Sequence, residues 1–321
     1  MRPLVHVTRR LPEVVERQLA AHFDVVLNET DTPPDARALA DALAGADALL
    51  CTVTDRLDGA VLRGAAPLRA RILANFGVGY NHIDVGAARE RGIVVTNTPG
   101  VLTDDTADVA LALMLMTARR LGEGERCVRA GAWMGWTPTQ LLGMSLSDKT
   151  LGIVGFGRIG RAMARRAHFG LGMRVRYVSR SVHPDAIAVG ATPSPSLHAL
   201  LAESDVVSVH APATPETRHL IDADALAHMR PHAILVNTSR GDLVDEAALV
   251  DALRAGAIAG AGLDVYEGEP RVHPELLGMA NVVLLPHLGS ATRETRRAMG
   301  ERAIANLVAF FEGREPPDRV A

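Results

Sequence analysis

Cysteine is nearly absent: Cys51 and Cys127 are the only two in 321 residues. Two cysteines so far apart make neither a disulfide framework nor a zinc-ligand pattern. The expectation is a reducing, cytoplasmic compartment and two plain core thiols. Aromatic residues make up 3% of the chain, too few for a platform that stacks single-stranded nucleic acid. The formal net charge of −3 supplies no basic footprint for nucleic acid or an anionic membrane. No apolar run reaches the roughly 18 to 20 residues that a membrane span needs. Residues 1–8 run straight into a strand-like segment and lack the blocks of a signal peptide. The expected partner is therefore a small molecule, with no nucleic acid and no membrane.

What is present is a rhythm. Short β-branched runs at 4–8, 25–27, 48–53, 71–75 and 93–96 alternate with Ala- and Leu-rich stretches of helical spacing at 11–22 and 35–44. That alternation implies βαβ units and a parallel sheet. Asn97-Thr98-Pro99-Gly100 breaks the series. A helix is expected over 104–120, with an apolar face through Val109, Leu113 and Met116. A second βαβ series follows, with strands near 151–154, 174–178, 206–210, 233–237, 260–264 and 282–285, and a last helix over about 292–312. The fold class is α/β, with two doubly wound parallel-sheet domains, the second (Rossmann) inserted into the first. The expected boundaries are 1–98 plus 288–321 for a substrate-binding domain, and 99–287 for a dinucleotide-binding one.

The segment Gly155-Phe156-Gly157-Arg158-Ile159-Gly160 follows the strand at 151–154 and opens a helix. It fits G-x-G-x-x-G. The first glycine permits the turn, the second lets the backbone approach a pyrophosphate, and the third lets helix and strand pack closely. At the end of the next strand an acid would select NAD by bonding the ribose 2′-OH. Here Ser179 stands in that place and Arg180 follows. A hydroxyl and a guanidinium suit a phosphate monoester, so NADP(H) is expected over NAD(H).

Three more strand ends carry chemistry. Arg240 lies just past the strand 233–237, where it can clamp a carboxylate with two hydrogen bonds. Asp264 ends a Gly/Ala-rich strand, and Glu269 follows in a loop beside Pro270. His287 sits between a strand and a loop. Each alone has an ordinary structural explanation: an ion pair, a solvated acid, a packed imidazole. Together they supply what reduction of a ketone requires. The imidazole is the proton donor, the acid orients it and stabilises its charged form, and the guanidinium holds the substrate and polarises its carbonyl. Nothing in the sequence offers a set of metal ligands.

At this point the chain resembles the D-isomer-specific 2-hydroxyacid dehydrogenase family. The likeness is carried by residues 75–84 (Asn75-Phe76-Gly77-Val78-Gly79-Tyr80-Asn81-His82-Ile83-Asp84), by 151–160 and by Val209-His210-Ala211-Pro212-Ala213-Thr214-Pro215-Glu216-Thr217. It continues through 237–242, 262–270 and 286–292, and so covers nearly the whole chain. The resemblance implies Arg240, Glu269 and His287 as the catalytic residues. It implies Val78 and Gly79 as backbone donors to the substrate carboxylate, and Asp264 as a partner of the nicotinamide carboxamide. Thr106 would approach the cofactor phosphates, with Pro212, Thr217, Thr238 and Gly289 lining the cofactor cleft. Within the family the likeness is to glyoxylate/hydroxypyruvate reductases, because of Gly131-Ala132-Trp133-Met134-Gly135-Trp136-Thr137-Pro138. That likeness implies a homodimer in which Trp136 reaches the neighbouring substrate site. Two alternatives stay open from the residues alone: another 2-hydroxyacid dehydrogenase such as a 2-ketogluconate reductase, and a dinucleotide-sensing corepressor-like binding protein.

Overall fold

The computed structural model describes residues 2–181 and 183–320. The chain forms two compact units, Met1–Leu102 with Ala291–Ala321, and Thr103–Ser290. The changeovers fall four and three residues beyond the expected 98 and 287. The shift has local causes. The helix Thr103–Ala118 begins only after the 99–102 turn, and 287–289 is bonded to Asp264 of the second unit.

Among the described residues the first unit holds five parallel strands: β1 (Leu4–Val7), β2 (Asp24–Val26), β3 (Ala48–Cys51), β4 (Ile72–Asn75) and β5 (Val94–Thr96). Their order is β2-β1-β3-β4-β5. Strands β3 and β4 are buried along their whole length, as expected of a parallel sheet covered on both faces. The last helix, Arg293–Phe311, lies on the helix Glu13–His22, where Gly300 makes room for Val15: a Cβ at 300 would stand 2.4 Å from the Val15 methyls.

The second unit holds seven parallel strands: β6 (Thr150–Val154), β7 (Arg174–Val178), β8 (Ala191–Pro193), β9 (Val206–Val209), β10 (Ile234–Asn237), β11 (Gly260–Leu263) and β12 (Val282–Leu284). Their order is β12-β11-β10-β9-β6-β7-β8. Alternation along each strand feeds two cores. Ile153, Val206, Ile234 and Val236 point into one, and Val154, Val207 and Leu235 into the other, so both faces are covered by helices. Strand β8 carries no β-branched run and ends in Pro193 at the sheet edge, which the alternation of apolar residues did not signal.

Two expectations are corrected. On the helix Thr103–Ala118 the buried stripe runs through Thr106, Ala107, Ala110, Leu113, Met114, Thr117 and Ala118, with Val109 and Met116 only at its borders. The reason is the partner strand. Gly260 and Gly262 of β11 let this helix sit directly on the sheet: a Cβ at 262 would stand 2.9 Å from Thr117 Oγ1 and 3.0 Å from Leu113 Cβ. Cys51 is a core thiol, but Cys127 is half-exposed, because the helix Leu121–Arg129 buries none of its residues. Among the described residues no helix is long and apolar enough to cross a membrane.

Candidate functional site

All seven strands of the second unit point the same way, so their C-terminal ends share one edge. This is where open α/β sheets bind ligands, at the point where strand order reverses, here between β6 and β9. Gly155 follows β6 with φ 91°. A Cβ there would stand 2.6 Å from the Ala211 nitrogen, because the chain leaving β9 crosses directly over it. Gly160 is equally confined, with 2.4 Å to the Gly155 oxygen. Gly157 is different: its missing Cβ points into open space, with nothing within 4 Å. It caps the helix Arg158–Arg165 without a side-chain bond. An open, glycine-faced helix N-terminus fits a pyrophosphate. Arg158 is exposed and Ile159 half-buried in that first turn.

At the end of β7, Ser179 is half-buried and Arg180 exposed. Ser179 Oγ lies 3.3 Å from His183 Nε2, a neighbour the sequence reading passed over. After β9, His210 shares a 2.8 Å hydrogen bond with Ser208. Burial pushes its imidazole down to about 4, so it is neutral near pH 7. Pro212 is exposed, and its carbonyl accepts from Thr217 Oγ1 at 2.7 Å, which also caps the turn at Thr214. Thr238 is buried, and its hydroxyl has no partner among the described residues. That is an orphaned polar group on the strand edge a dinucleotide would occupy.

Arg240 is placed by a residue that sequence reasoning missed. Asn237 ends β10 fully buried, and its carboxamide folds the chain back, accepting from Ser239 N at 3.0 Å and donating to Arg240 O at 2.9 Å. The Arg240 guanidinium donates to Ser239 O at 2.7 Å. Burial lowers its proton affinity, while the charges of Glu269 and Asp242 oppose that. A guanidinium in such a place stays charged.

Glu269 and His287 meet directly. His287 Nδ1 and Glu269 Oε2 are 2.8 Å apart, and their side chains are 29% and 32% exposed. Glu269 also accepts from Tyr266 N at 3.1 Å. Burial pushes the Glu269 carboxyl up, but the His287 hydrogen bond and charge, the Tyr266 N–H and the Arg240 charge outweigh it, so it stays ionised to lower pH than usual. The structure thus brings guanidinium, carboxylate and imidazole into one electrostatic group within this unit. The bond on Nδ1 leaves Nε2 as the nitrogen free to exchange a proton.

Asp264 is fully buried. Its Oδ1 accepts from Leu288 N at 2.6 Å and its Oδ2 from Gly289 N at 2.8 Å. Burial pushes its carboxyl up, with those N–H groups and the His287 charge pulling the other way. Thr106, also buried, donates to Gly289 O at 2.8 Å.

In the first unit, Val78 and Gly79 occupy a half-buried turn after β4. Buried Asn75 donates to Gly77 O at 2.9 Å and Gly79 O at 3.1 Å, and Asn97 donates to Val78 O at 2.8 Å. These amides hold the carbonyls of the turn. Asn75 and Asn97 were also missed, although an asparagine closing an otherwise apolar strand is itself a signal. Trp136 stands apart, 80% exposed in an irregular segment with Trp133 and Met134.

Among the described residues one cluster, His198, Asp224 and His228, has the composition of a metal site, and all three are exposed. The two imidazoles stack nearly parallel, 4.0 Å between centroids. His228 Nδ1 lies 2.8 Å from Asp224 O, and His198 Nε2 3.1 Å from Asp224 Oδ2.

The sequence profile described as D-isomer specific 2-hydroxyacid dehydrogenase, NAD binding domain, matches residues 111–289. A protein named glyoxylate reductase from Thermococcus litoralis is 47% identical over 324 residues, covering 100% of this chain and 97% of its own. The NADPH-dependent glyoxylate/hydroxypyruvate reductase of Sinorhizobium meliloti, solved with NADP and malonate, is 40% identical with a TM-score of 0.89 and covers 100% of this chain and 97% of its own. A glyoxylate reductase from Paecilomyes thermophila is 34% identical with a TM-score of 0.87, over 99% and 98% of the two chains. This protein therefore belongs to the D-isomer specific 2-hydroxyacid dehydrogenase family and is an NAD(P)-dependent dehydrogenase.

Proposed function

We propose that the protein reduces a small 2-keto acid, glyoxylate or hydroxypyruvate, to the D-2-hydroxy acid, with NADPH preferred over NADH. The observation that carries this reading is the 2.8 Å His287–Glu269 pair, electrostatically coupled to Arg240 on the strand edge that also carries the glycine turn. The hydride for the new C–H bond would come from NADPH, when bound, with NADP+ as the oxidised product. Arg240 grips the substrate carboxylate and polarises the adjacent carbonyl. His287 Nε2 gives its proton to the carbonyl oxygen as the C=O π bond opens, and Glu269 stabilises the imidazolium until then. In the first unit, we assign the backbone N–H groups of Val78 and Gly79, on the turn whose carbonyls Asn75 and Asn97 hold, to the substrate carboxylate by the family resemblance.

The cofactor preference rests on Ser179 and Arg180 at the end of β7, where an acid would repel a 2′-phosphate. His183, within 3.3 Å of Ser179, adds a further donor when protonated. A relative of 40% identity was solved with NADP, which supports the same choice. The glycine turn, with Arg158 and Ile159, forms the cradle for the pyrophosphate, and Thr238, with its unpartnered hydroxyl, is assigned to the cofactor. Thr106, Pro212, Thr217, Asp264 and Gly289 are assigned there by the family resemblance. Val128, Trp133, Met134, Trp136 and Leu142 are exposed large apolar side chains within 128–142, and such a stretch suits a homodimer interface, with Trp136 serving the partner's substrate site. Two free cysteines suit the cytoplasm.

The test is a spectrophotometric screen of glyoxylate, hydroxypyruvate, pyruvate and 2-ketogluconate with each reduced cofactor. The proposal expects the first two with NADPH to give the highest kcat/KM. A preference for 2-ketogluconate, or for NADH, overturns the corresponding assignment.

A further inference from the structure

His287 has φ 56°, the left-handed region that residues with a side chain rarely occupy. Such a conformation persists only where its surroundings over-determine it. Here one residue supplies three of the bonds. Asp264 accepts from three successive N–H groups: His287 N on its carbonyl oxygen at 2.9 Å, Leu288 N on Oδ1 at 2.6 Å and Gly289 N on Oδ2 at 2.8 Å. Asp264 is itself fixed, fully buried and with its own N–H bonded to Asn237 O at 3.0 Å. Gly289 is pinned from its other side by Thr106 Oγ1 at 2.8 Å. Successive N–H groups around a left-handed residue make an anion-binding nest, and this nest is filled by the protein's own carboxylate.

We propose that Asp264 is a positioning residue for His287, whose carboxylate holds the 287–289 turn in its left-handed form and so aims the imidazole at the reacting oxygen. The inference rests on the reading of His287 as proton donor in a keto acid reductase. It gives Asp264 a task distinct from the nicotinamide contact that the family resemblance implies. Each carboxylate oxygen has two lone pairs, so the two tasks are separable by experiment. Without the carboxylate the turn relaxes toward right-handed backbone and carries Nε2 away from its target. A displacement of about 1 Å from productive geometry is enough to lose roughly 100-fold in rate.

The test uses Asp264→Asn in the full chain. The carboxamide turns an N–H donor toward one of the two backbone donors, so one bond becomes a donor–donor contact. The proposal expects kcat at saturating NADPH and keto acid to fall about 100-fold, beyond any change that loss of the nicotinamide contact makes in the NADPH Kd, with the substrate KM within about threefold of wild type. Hydrogen–deuterium exchange of the peptide spanning 285–290 should accelerate while that of β10 does not. Asp264→Glu keeps the charge, displaces the oxygens by one methylene and should show the same kcat loss, which covers the case of an Asn variant that fails to fold. Unchanged exchange at 285–290, or a kcat loss below about threefold, overturns the inference. So does a tenfold weaker NADPH Kd with kcat retained, which places Asp264 on the cofactor. If the wild type reduces no keto acid, the functional reading fails, and the exchange measurement still decides whether Asp264 holds the turn.

Discussion

Replacing Glu269 by Gln removes one negative charge while keeping a hydrogen-bonding oxygen 2.8 Å from His287 Nδ1. Hydrogen bonds to charged groups contribute about 1.5–3 kcal/mol. Side chains 29% and 32% exposed put this pair toward the lower end, since solvent screens part of the interaction. A loss of about 1.5 kcal/mol in the transition state corresponds to a roughly tenfold fall in kcat/KM. The pH dependence has a definite sign. Against the upward push of burial, the His287 hydrogen bond and charge, the Tyr266 N–H and the Arg240 charge hold the Glu269 carboxyl below its usual range. In the wild type the charged pair is therefore lost only as pH falls through that lowered value, which gives the keto acid reduction profile an acid limb. The variant has no carboxyl to protonate, so that limb disappears and the lower rate is flat on the acid side. The assay follows reduction at saturating cofactor across the acid and neutral range, with Tm measured in parallel. An acid limb that stays in place, with kcat/KM within about twofold of wild type, would refute the coupling of these two residues.

Arg240→Lys keeps the charge but loses the planar fork. KM for the keto acid should rise at least about tenfold with NADPH affinity unchanged, and steady-state kinetics check both. Gly155→Ala and Gly157→Ala should separate fold from binding. The first forces φ 91° and a 2.6 Å approach to backbone, so Tm should fall by several degrees, in line with a loss of about 1–3 kcal/mol. The second meets nothing within 4 Å and should leave Tm unchanged while weakening NADPH binding by calorimetry. Ser179→Asp with Arg180→Ala should invert the ratio of kcat/KM between NADPH and NADH; an unchanged ratio removes these two residues from cofactor choice. Asn75→Ala frees two carbonyls of the Val78 turn and should raise KM for the keto acid more than it lowers kcat.

Much of this was legible in the sequence because parallel sheets buried on both faces must be written as apolar β-branched runs. The expected strand at 71–75 and the observed Ile72–Asn75 differ by one residue for that reason. Strand β8 was not legible, since Ala191-Thr192-Pro193 satisfies only an edge position and carries no such run. The helix face was legible only in part: Leu113 is central and Val109 and Met116 pack at the border, but Ala107 and Ala110 look less apolar than their burial, because packing on a glycine strand selects for small size. Arg240, Glu269 and His287 could be singled out from residue type and strand-end position. Their supports could not. Asn237, Asn75 and Asp264 act through hydrogen bonds to backbone groups, and a left-handed histidine leaves no mark on composition or period.

The pair of glycines in β11 has an evolutionary consequence. Neither Gly260 nor Gly262 carries a reactive atom, yet β11 leads straight into Asp264, and the helix lying against it contributes Thr106 to the turn after His287. Any substituent there wedges helix from sheet and disturbs both supports of the histidine at once. A library of random variants selected for turnover should therefore be as intolerant at these two silent positions as at Glu269 and His287.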